Sequence, residues 1–363
     1  MDYTTREMLQ ALEQRKPIHR FLTNFFPTHN FHVAELLEID IKKGKRKLAP
    51  FVAPRINGEI MEREGFTTHS LRTPKIAPER PMTIDDIVKR GFGENIYSTK
   101  TPEERAAELL ASDMTDLEEA ILRRIEWMAR ELLLNGKIQV VDSTKGVDVQ
   151  IDYNFTNRAI VEESWKENNS DPFRDLQEAR KKVIQKTGTA PTICIMSSDV
   201  ANDFLNNPKV KSLMDVRNFS LANISPTVQD SAVTFLGKLY QLNLEIYTYD
   251  EWFLDDNDEE QPMLPEGTCI LLPLDLGSIE YGGVTIMENN SYQTYSSDIV
   301  PQIWTSSGSN IQMLRMTSRP LLRPYDVDSW FVLNILGNDD NSNNTLQTDI
   351  SQPTEDNDED DNE

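Results

Sequence analysis

"FVAPRINGEIMEREGFTTHSLRTPKIAPERP", residues 51–81, is the stretch on which the reading of this chain turns. Pro54, Pro74, Pro78 and Pro81 exclude a continuous helix, because proline lacks an N–H and clashes with the preceding turn. Gly58 and Gly65 punctuate its first half, and apolar residues such as Ile56 and Ile60 are too sparse to build a core. The stretch reads as an extended, two-legged excursion of some thirty residues that does not serve folding by itself.

On its N-terminal side, a polar start with a short helix around Thr5–Gln14 leads to the aromatic cluster "RFLTNFFP". A strand begins near Phe31 in "FHVAELLEIDI", and the basic cluster Lys42, Lys43, Lys45, Arg46 and Lys47 follows. No aromatic platform interleaves that cluster, so it reads as a solvated loop or a contact with acidic neighbours rather than a single-strand nucleic-acid site. On the C-terminal side, "TPEERAAELLASDMTDLEEAILRRIEWMARELLLNGK" is helical, with Pro102 in a first turn. Thr115 and Glu118 form a capping-box pattern, which predicts that a second helix of about twenty residues and roughly 30 Å starts at Thr115. Leu117, Ile121, Ile125, Met128 and Leu132 recur every three or four residues and predict one buried stripe. Asn135-Gly136 stops the helix, and "KIQVVD" with "VDVQIDY" predicts a hairpin.

Between about 172 and 290 the pattern is that of a compact α/β unit. A helix runs from Pro172 to Lys186 and ends at Gly188, and "APTICIMS" is a buried strand. "SDVANDFLNN" is a short helix capped by Ser198 or Asp199, and "GKLYQLNLEIYTYDEWFLD" alternates as one long strand. A tip at "DDNDEE" and a strand at "EGTCILLPL" complete it. β-like stretches return near "VPQIWTSS" and "NIQMLRMTSRPLLRPYDVDSWFVLNIL", and the chain shows no internal repeat.

Composition narrows the function. The 363 residues carry a net charge of −23, with 38% hydrophobic and 27% charged residues. Residues 338–363 hold ten acidic side chains and no Lys or Arg, which predicts a disordered tail and leaves the body at −13. Such a body does not bind nucleic acid broadly. No apolar run is long enough to span a bilayer and the start has no signal pattern, so no membrane partner and a cytoplasmic origin are expected. Cys194 and Cys269 lie in apolar strands and read as buried free thiols.

No phosphate loop, dinucleotide fingerprint or nucleophile elbow occurs in the sequence. The four histidines, His19, His29, His32 and His69, fall in the first seventy residues, and His29 and His32 lack a third ligand nearby. Asp255–Glu260 lacks the glycine and spacing of a calcium loop and reads as a solvated tip. Gly282-Gly283 reads as a turn or bulge. No catalytic, cofactor or metal site is expected, and the chain reads as a non-enzyme.

In order, these parts resemble the lambda-type major capsid proteins of tailed bacteriophages. The residues carrying the resemblance are "YTTREMLQALEQ" and "FLTNFFP" as an N-terminal arm and "FVAPRINGEIMEREG" with its Gly58-Glu59-Ile60 step as an extended loop. "RPMTIDDI" marks the loop's return and "LLNGK" the end of the long helix. The Pro265-Glu266-Gly267-Thr268 turn marks a hairpin, and Ser318-Arg319-Pro320-Leu321 with Asp326 mark the terminal strands. The resemblance covers nearly all of residues 1–336 and implies an α+β fold of the tailed-phage major capsid type. It divides the chain into an N-terminal arm (1–32), the extended loop and its base (33–82), a peripheral domain with a spine helix (83–171), an axial domain (172–290), a return to the peripheral domain (291–337) and the acidic tail (338–363). It implies self-assembly into hexamers and pentamers of an icosahedral head around double-stranded DNA, in a virion assembled in the host cytoplasm. Phe51, Arg55, Gly58, Glu59, Arg63 and Arg72 would make inter-subunit contacts from the loop, and the stripe from Leu117 to Leu132 would be the spine helix's core. The arm's start near Met1 implies a separate scaffolding protein. A portal protein, a decoration protein and packaged DNA are the other expected partners. An encapsulin-like compartment shell and a soluble hydrolase are the competing readings.

Overall fold

A computed structural model of the chain describes residues 20–41, 67–89, 100–142, 146–214, 222–230, 232–255, 258–288, 291–305 and 311–336. The Thr5–Gln14 helix, the basic cluster at 42–47, the loop residues Phe51, Arg55, Gly58, Glu59 and Arg63, and the acidic tail lie outside the described residues.

The longest element is one helix, Pro102–Asn135, of 34 residues and about 51 Å at 1.5 Å per residue. Thr101 caps it, its hydroxyl accepting from the Glu104 amide while the Glu104 side chain accepts from the Thr101 amide. It stops at Gly136, whose φ of 62° is left-handed and whose N–H donates to Leu132 O at 2.9 Å. The break expected at Thr115 does not occur. The Thr115 hydroxyl turns back onto Ala111 O at 2.9 Å, so the cap-type side chain is satisfied inside the helix. Leu110 and Met114 extend the buried stripe straight through the supposed boundary, and tertiary packing overrides the local cap signal.

Leu117, Ile121, Ile125, Met128 and Leu132 are all buried. The helix lies against strands Gln312–Thr317 and Pro320–Pro324, the short 3₁₀ turn Leu22–Phe25, and the hairpin of Lys137–Asp142 with Gly146–Asp152. Near its C-terminal end the Trp330 indole donates to Leu133 O at 3.0 Å and stacks on Phe155 with ring centroids 4.7 Å apart.

A seven-stranded mixed sheet forms the second half. Its order is Arg158–Ile160, Phe331–Asn334, Thr268–Leu272, Ile193–Met196, Leu244–Tyr249, Val233–Leu239 and Ala222–Asp230. Helices Pro172–Thr187, Ser198–Asn206 and Pro208–Met214 accompany it. The central strands are buried on both faces, which is why "ICIM" and "TCILL" are continuous apolar runs. Ile193, Ile195, Ile270 and Leu272 join the core of the long helix. Cys194, Met196, Cys269 and Leu271 join a second core with Leu176, Val183 and Phe204. The two-residue period of a strand thus makes this sheet a wall shared by both cores. The sheet also draws in Arg158–Ile160 and Phe331–Asn334 from outside 172–290, while Gly277–Tyr281 within that range pairs instead with Thr28–Phe31 and Pro320–Pro324.

Three local readings change. The long strand expected at "GKLYQLNLEIYTYDEWFLD" is three shorter ones, turned at Asn243 with φ of 50° and followed by Trp252–Leu254. The cap of Ser198–Asn206 is Ser197, whose side chain makes no capping bond; Asp199 instead accepts from Gly267 N at 2.8 Å. The strand near Phe31 is two strands, Thr28–Phe31 and Leu36–Ile41. Cys194 and Cys269 are free and buried, their sulfurs 3.4 Å apart, and burial pushes the Cys269 thiol up.

Ile121 is fully enclosed, so an aspartate there would bury a charge with no partner. Ile121→Asp is expected to lower stability by about 4 kcal/mol or more, read by urea or thermal unfolding; an unchanged midpoint would remove the stripe from the core.

Candidate assembly interface

The excursion is flanked by a ladder whose first strand precedes the quoted stretch and whose second lies within it. Leu36–Ile41 pairs antiparallel with Thr67–Arg72, from Leu36 opposite Arg72 to Ile41 opposite Thr67. Residues 42–66, between the legs, lie outside the described residues. The C-terminal part of the quoted stretch is body rather than excursion. Glu79–Met82 pairs with Gln312–Thr317, Ile76 bridges Ser318, and Met82 is buried. The Arg80 guanidinium holds this strand to the long helix, donating to Asp113 at 2.8 Å and Asp116 at 2.6 Å.

The foot of the ladder is fastened by backbone. Thr73 donates to Glu35 O through its N–H at 3.1 Å and its hydroxyl at 3.0 Å. Gly282 N donates to Arg319 O at 2.9 Å, and Gly283 N to Ala34 O at 3.3 Å. A Cβ on Gly282 would stand 2.4 Å from Thr73 Oγ1, and one on Gly283 2.2 Å from Val33 O. The glycine pair is therefore a site of close chain approach, where any side chain would push the ladder away.

Arg72 is the one predicted loop residue whose side chain is described. It is exposed, with Nη2 3.7 Å from Glu35 Oε2. Glu35 Oε2 also lies 2.8 Å from Arg319 Nη1.

Sequence reasoning passed over two buried carboxylates that anchor the segment from Phe21 to His32. Glu126 accepts from the amides of Phe21, Leu22 and Thr23 at 3.2, 2.6 and 3.0 Å, from the Thr23 hydroxyl at 2.9 Å and from the Tyr249 hydroxyl at 3.1 Å. Burial, then the charges of Glu126 and Glu251, hold the Tyr249 phenol well above its ordinary value, so it stays a donor. The available signal was a lone glutamate among Leu122, Ile125, Ala129 and Leu133 on an otherwise apolar face. Glu280 accepts from Ser278 at 2.6 Å and Asn30 at 3.0 Å, and its Oε2 lies 2.6 Å from His32 Nε2. Burial works against its charged form, but the hydrogen bonds from Ser278, His32 and Asn30 outweigh it and hold the carboxyl below the ordinary carboxylate value. His32 is thereby committed to Glu280, and His29 packs edge-on to Tyr281.

With this geometry in hand, the comparisons are specific. The family described as phage major capsid protein E matches residues 4–334. The chain belongs to that family. Its function is that of the major capsid protein of a phage head. The major capsid protein of Enterobacteria phage P21 is 24% identical over 92% of this chain and 99% of its own length. That of Escherichia phage lambda is 22% identical over 90% and 97%. A solved structure described as a prophage capsid protein of Escherichia coli CFT073 superposes with a TM-score of 0.68 at 17% identity, over 92% of this chain and 99% of that one. The α+β fold is therefore that of a phage capsid protein.

Two outcomes follow from the carboxylates. Glu126→Ala would strand the buried Leu22 and Thr23 amides and the half-buried Phe21 amide, and a loss of about 3 kcal/mol or more is expected in urea unfolding, with new proteolytic cleavage near Phe21. For Glu280, a depressed folded pKa adds stability that is complete above the unfolded value and is lost as pH falls through the folded one. Between about pH 5 and about pH 3 the Glu280→Gln capsid protein should therefore lose less stability than the native chain; equal losses would show that Glu280 does not supply this acid sensitivity.

Proposed function

We propose that this capsid protein closes its shell by laying residues 42–66 of one copy across the body of the next. The observation that carries this is the fastened ladder of Leu36–Ile41 and Thr67–Arg72, which gives a rigid base to a segment of low apolar content. Two legs of about a dozen residues each can reach roughly 40 Å when extended. Phe51, Arg55, Gly58, Glu59, Arg63 and Arg72 are then the contact residues. The segment around 172–290 is the axial portion meeting its copies at the centres of hexamers and pentamers, and the Pro102–Asn135 helix is the peripheral spine. Identical chains in non-identical rings need contacts that adapt, which favours a flexible arm on a rigid root.

The shell is icosahedral and encloses double-stranded DNA without sequence-specific contacts. A separate scaffolding protein, a portal and a decoration protein complete the head, and assembly takes place in the host cytoplasm. The chain acts as a structural protein and not as an enzyme. Support for this comes from the family match and from the absence of catalytic motifs in the sequence.

The test replaces residues 43–66 with a short Gly/Ser linker, sparing the ladder and the Glu79–Met82 strand. The expected product is soluble, unfolds near the native midpoint and forms at most isolated rings by negative-stain microscopy. Closed shells from this variant would place the joints elsewhere, and loss of folding would make the segment part of a core.

A further inference from the structure

Glu126 holds the amides of Phe21, Leu22 and Thr23, and so fixes where residues 1–19 join the body. Arg20, at that junction, lines a cavity of about 170 Å³ together with Leu122, Arg123, Tyr249 and Met263. Arg123 also lines a second cavity, of about 250 Å³, whose other walls include Arg124, Trp127, Phe253 and Leu254. The two cavities thus adjoin through Arg123 and form one cleft between the long helix and the hairpin of Trp252–Leu254 with Glu260–Pro262. Its lining is aromatic. Trp127 and Phe253 are half-buried, with Arg124 Cζ 5.1 Å from the first ring centroid and Arg130 Cζ 5.6 Å from the second. Leu254 is 62% exposed and Trp252, its neighbour on the same strand, 58%.

An aromatic cleft of this kind suits the apolar side of a helix. Both terminal segments of the chain lie outside the described residues, and their chemistry separates them as occupants. Residues 338–363 carry ten acidic side chains and no Lys or Arg, and Glu119, Glu251 and Asp255 in the cleft walls repel them. Residues 1–19 hold three acidic side chains, Asp2, Glu7 and Glu13, against three basic ones, Arg6, Arg15 and Lys16, so the same walls do not exclude them. The sequence pattern of Thr5–Gln14 is helical, with Met8, Leu9 and Leu12 on one side. Only the five residues from Arg15 to His19 separate that pattern from Arg20, a span of at most about 17 Å. Chain continuity therefore keeps this apolar side within reach of the cleft that Arg20 lines.

We propose that residues 1–19 dock on their own chain in this cleft, with Met8, Leu9 and Leu12 against Trp127 and Phe253. Docked there, the segment covers the aromatic lining before the shell assembles and keeps it from other chains. The proposal concerns the unassembled protein and stands apart from the reach of residues 42–66, so its failure leaves that reading in place.

The experiment puts the photoreactive amino acid benzoylphenylalanine in place of Leu254, an exposed position in the cleft wall, in the full chain. Unassembled protein is irradiated, separated on a denaturing gel and digested with trypsin for peptide mapping. The expected result is a link to the peptide Glu7–Arg15 in the monomer-mass band. A second variant, Leu9→Asp with Leu12→Asp, leaves the described body untouched. It should lose that link and be cut after Arg15 by brief trypsin treatment about tenfold or more faster than the native chain, with its urea midpoint near the native one. A link to residues 338–363 instead would assign the cleft to the acidic tail and overturn the proposal. A link to residues 1–19 found only at dimer mass would assign it to a second copy, with the same consequence. Links confined to residues of the cleft walls, or equal trypsin rates for the native and variant chains, would show that residues 1–19 do not dock there.

Discussion

The body of this capsid protein depends on one buried carboxylate. Glu126 sits on the apolar face of the long helix and accepts five hydrogen bonds: four from the segment Phe21–Thr23 and one from Tyr249. A charge in that position is tolerable only because those donors replace water around it. In return it fixes three parts of the chain that are far apart in sequence: the end of the N-terminal segment, the helix, and a strand of the seven-stranded sheet. The arrangement works like a cap supplied from outside, since the three amides belong to the start of the Leu22–Phe25 turn.

The shared sheet extends the same logic. Its central strands send alternate side chains into two cores, so the helix-bearing half and the long-helix half cannot separate without exposing both faces. A shell subunit loaded by its neighbours benefits from such a wall, because force applied to one half reaches the other through buried backbone pairing. The return of the chain at Phe331–Asn334 into this sheet, beside Thr268–Leu272, closes the body on itself.

Against this rigid body stands the root of the loop. Gly283 lets the Val33 backbone, and Gly282 the Thr73 side chain, approach to distances that no Cβ permits, and Thr73 ties the second leg back to Glu35. The root is thus ordered by main-chain bonds. A root fixed in this way suits a capsid protein, which assembles with other copies of itself.

How much of this was legible in the sequence follows from the range of each interaction. Pro102, the Asn135-Gly136 stop, the stripe from Leu117 to Leu132, the Pro172 helix with its Gly188 end and the hairpin after Gly136 are written in residues within a few positions of one another, and the structure places them so. The proline-rich excursion and the order of parts pointed to the capsid family, which the family match shows. Tertiary structure alone decided that Thr115 lies inside a helix, because Leu110 and Met114 bury on the same side as Leu117. It alone paired Glu126 with Leu22 and Glu280 with His32, across 104 and 248 residues, and no local periodicity marks a contact that long. It alone brought Arg158–Ile160 and Phe331–Asn334 into one sheet, because strand membership is set by which edge lies free in the folded chain. Local sequence set the elements, and burial in three dimensions chose their partners.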